Sequence, residues 1–157
     1  MPKSDFVSVP SSCTLCPRRC GADRAAGRTG FCGAGGTLKA ARAALHYWEE
    51  PCISGTKGSG TVFFSGCNLR CVFCQNHEIS RSKLGKTVSI ERLADILLEL
   101  QDKGVHNINL VTPTHYTDAI VAALQRAKLR IPVAWNSSGY DSVESLKKLE
   151  GLVRIYM

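Results

Sequence analysis

The chain has 157 residues, 44% of them hydrophobic and 21% charged, an ordinary balance for a globular domain that buries roughly two-thirds of its unfolded surface. Its formal charge of +7 comes from basic residues spread along the chain without a long run, which reads as a solvated basic surface and argues against a nucleic-acid partner. No apolar run approaches the ~20 residues that span a bilayer, and the opening MPKSDFVSVPSSC has neither an apolar core nor a small-residue cleavage site, so a cytoplasmic location and no membrane partner are expected. In that reducing compartment the eight cysteines point to metal ligation where they cluster and to packing where they stand alone.

From Cys13 to about Gly60 the chain is rich in Cys, Gly, Arg and Ala with little periodicity, and residues 1–60 read as a loop-dominated N-terminal segment. Cys13, Cys16 and Cys20 form CxxCxxxC, and Cys32 follows in FCGAGG. Four thiolates among glycines can close a second metal site, either zinc or an auxiliary iron–sulfur cluster. Arg18 and Arg19 read as solvated arginines able to shield thiolate charge. HYWEE (His46 to Glu50) reads as a packed aromatic loop, Cys52 in EEPCISG as a buried free thiol, and GTKGSG (Gly55 to Gly60) as a turn, since it precedes a strand rather than a helix.

From Thr61 to Met157 strands and helices alternate. TVFFS reads as a short buried strand. SIERLADILLELQDKG places Ile90, Leu93, Ala94, Leu97 and Leu100 on one helical face, with Ser89 as cap and Gly104 as terminator. HNINLVT (His106 to Thr112) reads as a strand, Thr117 to Leu129 as a helix, and Ile131 to Trp135 as a strand. DSVESLKKLEG reads as a helix with Asp141 and Glu144 at capping-box spacing, and LVRIYM as a fourth strand. Such alternation predicts an α/β fold with parallel strands covered by helices, its chemistry at the carboxyl ends of the strands. That rule selects the Gly66 to Asn76 loop, Thr112 to Tyr116, Asn136 to Tyr140, and Met157.

The first of these loops, GCNLRCVFCQN, holds Cys67, Cys71 and Cys74 within eight residues. Soft thiolates select zinc, copper(I) or iron–sulfur clusters. A zinc site would close with a fourth ligand, for which His77 is the local candidate, on a short tether. A [4Fe–4S] cluster takes one thiolate per iron, so three leave one iron open to a ligand.

CxxxCxxC with Phe73 before the last cysteine resembles the signature of the radical S-adenosylmethionine (radical SAM) superfamily. The blocks CTLCPRRC, WEEPCISG, GSGTVFFSGCNLRCVFCQN, NINLVTPTHY and WNSSGY are similar to those of its iron–sulfur proteins related to pyruvate formate-lyase activating enzyme. The resemblance covers the chain from Cys13 onward. It implies a [4Fe–4S] cluster on Cys67, Cys71 and Cys74 and S-adenosylmethionine on the open iron. It implies reductive cleavage of that cofactor to a 5′-deoxyadenosyl radical, an electron donor such as flavodoxin or ferredoxin, and a protein substrate if the chain is a glycyl-radical activase. Phe73 would lie beside the adenine, with Thr112, Thr114, Asn136 and Ser137 as further cofactor contacts. His115 is a candidate proton-transfer group or a surface residue at a helix start.

Two departures accompany the resemblance. Thr112-Pro113-Thr114-His115 stands where many members carry Gly-Gly-Glu, leaving no carboxylate for the amino group of the cofactor. The sequence also ends in its fourth strand, so the expected fold is a truncated, partial TIM-like βα barrel over 61–157, where members usually have about six βα units. The rival reading is a non-enzymatic zinc-binding module with a basic nucleic-acid-binding surface.

Overall fold

A computed structural model of the chain describes residues 9–81 and 84–157. In chain order the elements are strand β1 (Lys39–His46), helix α1 (Pro51–Ser54), β2 (Ser59–Phe64), α2 (His77–Arg81), β3 (Lys86–Thr87), α3 (Ile90–Asp102) and β4 (Asn107–Val111). A 3₁₀ turn (Thr114–Tyr116), α4 (Thr117–Ala127), β5 (Val133–Asn136), α5 (Val143–Lys147) and β6 (Ile155–Tyr156) complete the chain. Among the described residues no helix is long and apolar enough to cross a membrane.

Among the described residues six strands form one mixed sheet in the order β3-β1-β2-β4-β5-β6. β2, β4, β5 and β6 are mutually parallel, as the alternation predicted. β1 is antiparallel to both β2 and β3, and the sequence pattern gives no strand there. KAARAALH carries alanines and an arginine in place of β-branched residues, so its local preference is weak. Pairing with β2 makes it a strand, through a register that slips once between Ala40 and Arg42.

Alternation along β2 gives its two faces different jobs. Val62 and Phe64 join Ile108, Leu110, Val133 and Trp135 in the core beneath Leu93, Leu97 and Leu100 of α3 and Ile120, Ala123 and Leu124 of α4. On the opposite face Ser59 lies beside Asn107 and Thr61 beside Asn109. All four are buried, and Ser59 Oγ, Thr61 Oγ1 and both amide atoms of Asn109 have no protein partner.

The helix ends show which signals were right. Ser89 Oγ accepts the Arg92 N–H at 3.1 Å and starts α3, and Gly104 follows its end at φ +78°, a conformation glycine adopts without strain. α5 differs from expectation: its cap is Ser142, whose Oγ accepts the Ser145 N–H at 3.2 Å. Asp141, expected to cap it, turns back toward the strand ends. HYWEE is not packed either, since Tyr47 and Trp48 are exposed.

Candidate metal centre

Immediately after β2, Gly66 turns the chain at φ +87°, and a Cβ on it would sit 2.4 Å from the Cys32 carbonyl oxygen. Only glycine allows this approach, which lets the Cys67 N–H donate to that carbonyl at 3.0 Å. Cys67 is buried, and the backbone N–H groups of Leu69 and Arg70 point at its sulfur, at 3.4 and 3.5 Å. Arg70 has φ +57°, the left-handed turn that aims successive N–H groups at one point and makes a nest for an anion.

The rest of the loop runs outward. Cys71 is exposed and Cys74 half-buried. Arg81 Nη2 donates to the carbonyls of Arg70 and Cys71 at 3.1 and 2.8 Å, the Ser80 hydroxyl reaches the Cys74 sulfur at 3.7 Å, and the His77 N–H donates to the Cys74 carbonyl at 3.1 Å. The imidazole of His77 is exposed. Phe73 is 100% exposed, so it is not a core aromatic.

The thiols lie in one short loop, but among the described residues no three His, Cys, Asp or Glu side chains converge on one ion position, in this set or elsewhere. In the N-terminal set Cys13 and Cys32 are buried, Cys16 is half-buried and Cys20 exposed. The Cβ position of Gly30 is 2.9 Å from the Cys20 sulfur and 3.8 Å from that of Cys32, which brings those two near each other. Cys52 was expected to be buried and is exposed, because the four-residue α1 turns it outward on a short surface helix.

The residues after β4 and β5 form a polar platform beside this loop. Thr112 has φ +56°, a strained conformation for a β-branched residue, and its N–H donates to the Asn136 carbonyl at 2.9 Å. Asp141 gathers three donors: Thr114 Oγ1 at 2.6 Å, Ser137 Oγ at 2.5 Å and Trp135 Nε1 at 3.3 Å. Thr114 and Ser137 each donate a hydroxyl proton to this carboxylate. Asn68, 1% exposed, ties the cysteine loop to the platform by donating to the Tyr140 carbonyl at 2.8 Å.

His115 is 1% exposed and therefore not a surface residue at a helix start. Its Nε2 faces the Ser65 carbonyl at 2.8 Å, which assigns the proton to Nε2. Burial, with the nearby Arg24 guanidinium, lowers its pKa to about 4. Arg24 is itself buried, donating to the His115 carbonyl at 2.7 Å and to the Cys32 sulfur at 3.2 Å. Burial pushes the Cys32 thiol up, against the pull of that guanidinium. Sequence reasoning missed Arg24 and gave Asp141 only a capping role. Neither sits in a cysteine or glycine motif, and their hydrogen-bond partners reveal them.

The chain is an α/β protein with a mixed, mostly parallel sheet and a three-cysteine loop at the carboxyl end of a parallel strand. Residues 61–157 match the family profile described as Radical SAM superfamily, and the chain belongs to that superfamily. Membership implies a [4Fe–4S] cluster and S-adenosylmethionine. An uncharacterized protein of Methanocaldococcus jannaschii is 34% identical over 159 residues, covering 96% of this chain and 45% of that protein. The chain thus spans less than half the length of the curated relative it matches. No solved structure matches it.

Proposed function

We propose that Cys67, Cys71 and Cys74 hold the [4Fe–4S] cluster of an S-adenosylmethionine-cleaving enzyme similar to pyruvate formate-lyase activating enzyme, with residues 61–157 as a partial βα barrel. The observation that carries this reading is the Cys67 sulfur, cradled by two backbone N–H groups where β2 ends. Hydrogen bonds to thiolate are what an iron–sulfur ligand needs, and the soft three-thiolate set fits that group. When bound, the cluster supplies the electron for reductive cleavage of the sulfonium.

The chain's own residues bind and orient. Phe73 offers a free ring for an adenine, and Thr112, Thr114, Asn136 and Ser137 stand at the adjoining strand ends. Asp141 fixes the hydroxyls of Thr114 and Ser137, so the platform is rigid before a ligand arrives. His115 holds the Ser65 carbonyl, one residue before the Gly66 turn, and is a positioning residue. The protein substrate we favour is one that receives a glycyl radical, with flavodoxin or ferredoxin as electron donor.

Residues 1–60 form the Cys-rich segment, and Cys13, Cys16, Cys20 and Cys32 are the ligands of a second site for zinc or an iron–sulfur cluster. A bound metal would deprotonate Cys32 outright, turning its contact with Arg24 into a charge-assisted bond.

The test is iron, acid-labile sulfide and zinc per chain after anaerobic purification, followed by electron paramagnetic resonance of the reduced protein with and without S-adenosylmethionine. Iron and sulfide, a spectral change on adding the cofactor, and release of methionine and 5′-deoxyadenosine support the reading. Zinc alone, in a colourless protein, selects the metal-binding module. An intact cluster with no response to the cofactor, restored by His77→Ala, shows His77 on the open iron.

A further inference from the structure

Arg18 and Arg19 are adjacent in sequence and differ in their surroundings. Arg19 is exposed, as a solvated arginine is, whereas Arg18 is half-buried. The Arg18 guanidinium lies 3.6 Å from the centroid of the Phe31 ring and 5.8 Å from that of Tyr140. Its Nε donates to the Asn68 carbonyl at 2.9 Å, 50 positions later in the chain. A planar cation stacked on a ring while donating from its edge is a role that arginine fills and lysine does not.

The acceptor connects this arginine to the cysteine loop. The Asn68 carbonyl and the Leu69 N–H belong to one peptide group, and that N–H donates to the Cys67 sulfur at 3.4 Å. A trans peptide group is planar, with its C=O and N–H on opposite edges, and no described peptide bond is cis. Holding the oxygen therefore aims the hydrogen. A cation on the carbonyl also polarises the amide, which makes its N–H a stronger donor. Asn68 is anchored a second time by its side chain, which donates to the Tyr140 carbonyl at 2.8 Å. Phe31 supports the other donor as well: the Arg70 guanidinium lies 4.9 Å from its centroid, and the Arg70 N–H meets the Cys67 sulfur at 3.5 Å.

We propose that Arg18 is a positioning residue for the cluster site: through the Asn68–Leu69 peptide it keeps an N–H on the Cys67 sulfur and so raises the reduction potential of the group held there. The inference rests on the reading of Cys67 as a cluster ligand. Reduction adds negative charge to the cluster, and a hydrogen bond to a ligand sulfur stabilises that charge. A looser peptide makes reduction harder. The N-terminal segment thus acts on the site through Arg18 and Phe31 without lending it a thiol.

Two measurements on the full chain, purified anaerobically, test this. Arg18→Met should speed hydrogen exchange of the Leu69 amide, read by mass spectrometry, about tenfold or more, while the Arg92 amide capped by Ser89 Oγ exchanges as in wild type. The same variant should keep its iron and sulfide. Its potential, from a redox titration followed by electron paramagnetic resonance, should fall by about 59 mV, the one-electron equivalent of a tenfold change. Arg19→Met removes the same charge from an exposed position and should shift neither reading. Phe31→Leu takes away the stacking face at constant charge and should move both readings in the direction of Arg18→Met, and it serves alone if Arg18→Met does not fold. An unmoved Leu69 exchange rate, an unmoved potential, or an equal shift from Arg19→Met would each overturn the proposal. A wild-type chain without iron or sulfide would refute the cluster reading and the potential with it, and Leu69 exchange would still decide whether Arg18 holds the peptide.

Discussion

The backbone N–H of Cys67 donates to the backbone carbonyl of Cys32 at 3.0 Å. The first cysteine of the three-cysteine loop is thus hydrogen-bonded to the last cysteine of the N-terminal set, 35 positions earlier in the chain. Arg24 reinforces the junction by donating to the Cys32 sulfur and to the His115 carbonyl. The two cysteine sets are neighbours, and the link between them is main chain rather than shared thiol.

Because the link is main chain, Cys32→Ala should leave the iron and sulfide of the Cys67 loop in place while removing metal from the N-terminal set. It also strips Arg24 of its sulfur partner, so a loss of about 2–3 kcal/mol is expected. Cys32→Ser, which keeps an acceptor, should lose less. Metal analysis and urea unfolding of the two variants check this, and loss of all iron from Cys32→Ala would show that the sets share a cluster.

Cys67→Ala, Cys71→Ala and Cys74→Ala should each remove about four irons and four sulfides per chain, the content of one cubane. Far-ultraviolet circular dichroism should stay near wild type, because none of the three lies in the main core cluster. Unchanged iron in all three variants would refute the ligand assignment.

The buried imidazole makes stability pH-dependent in a predictable direction. The pKa of His115 lies at about 4 in the folded protein, against an ordinary 6.5, so the unfolded chain takes up a proton first as pH falls. Stability is fully present above about pH 6.5 and is lost between there and pH 4, by up to about 3 kcal/mol. Urea unfolding should show a steeper acid loss for wild type than for His115→Gln, which lacks the titrating group. Parallel profiles would exclude His115 as the cause.

Removing Asp141 strands three donors at once. Asp141→Ala should lower stability by about 2–4 kcal/mol, and it should loosen the Thr114 and Ser137 hydroxyls at the cofactor side. Asp141→Asn, which keeps one acceptor oxygen, should fall between. Thermal melts give the order, and a loss under about 0.5 kcal/mol for Asp141→Ala would mean that solvent already serves those donors.

The parallel strands and the two long helices were legible because their signals are local. α3 carries its own apolar stripe and Ser89 cap, and α4 starts at Thr117 as read, though it ends at Ala127, two residues short of the expected Leu129, where Lys128 caps it at φ +48°. The cysteine loop was legible by spacing alone. β1 was not, since KAARAALH becomes a strand only beside β2, and neither was the role of Asp141, whose donors come from the ends of two different strands. Arg24 was hidden for the same reason: its partners His115 and Cys32 lie 91 and 8 residues away. Pairings set by tertiary closure leave little trace in local pattern.

The approach of Gly66 to Cys32 also sets how this sequence can drift. In a library carrying every amino acid at each position, clones that keep an ordered cysteine loop should return glycine alone at 66, since any Cβ meets the Cys32 carbonyl at 2.4 Å. Gly27, Gly104, Gly139 and Gly151 also have positive φ, but a Cβ added to any of them would find nothing within 4 Å. Those four positions should return asparagine and aspartate as well, residues that tolerate left-handed backbone. One glycine is thereby frozen by its neighbour, while four others of similar backbone shape stay free to vary.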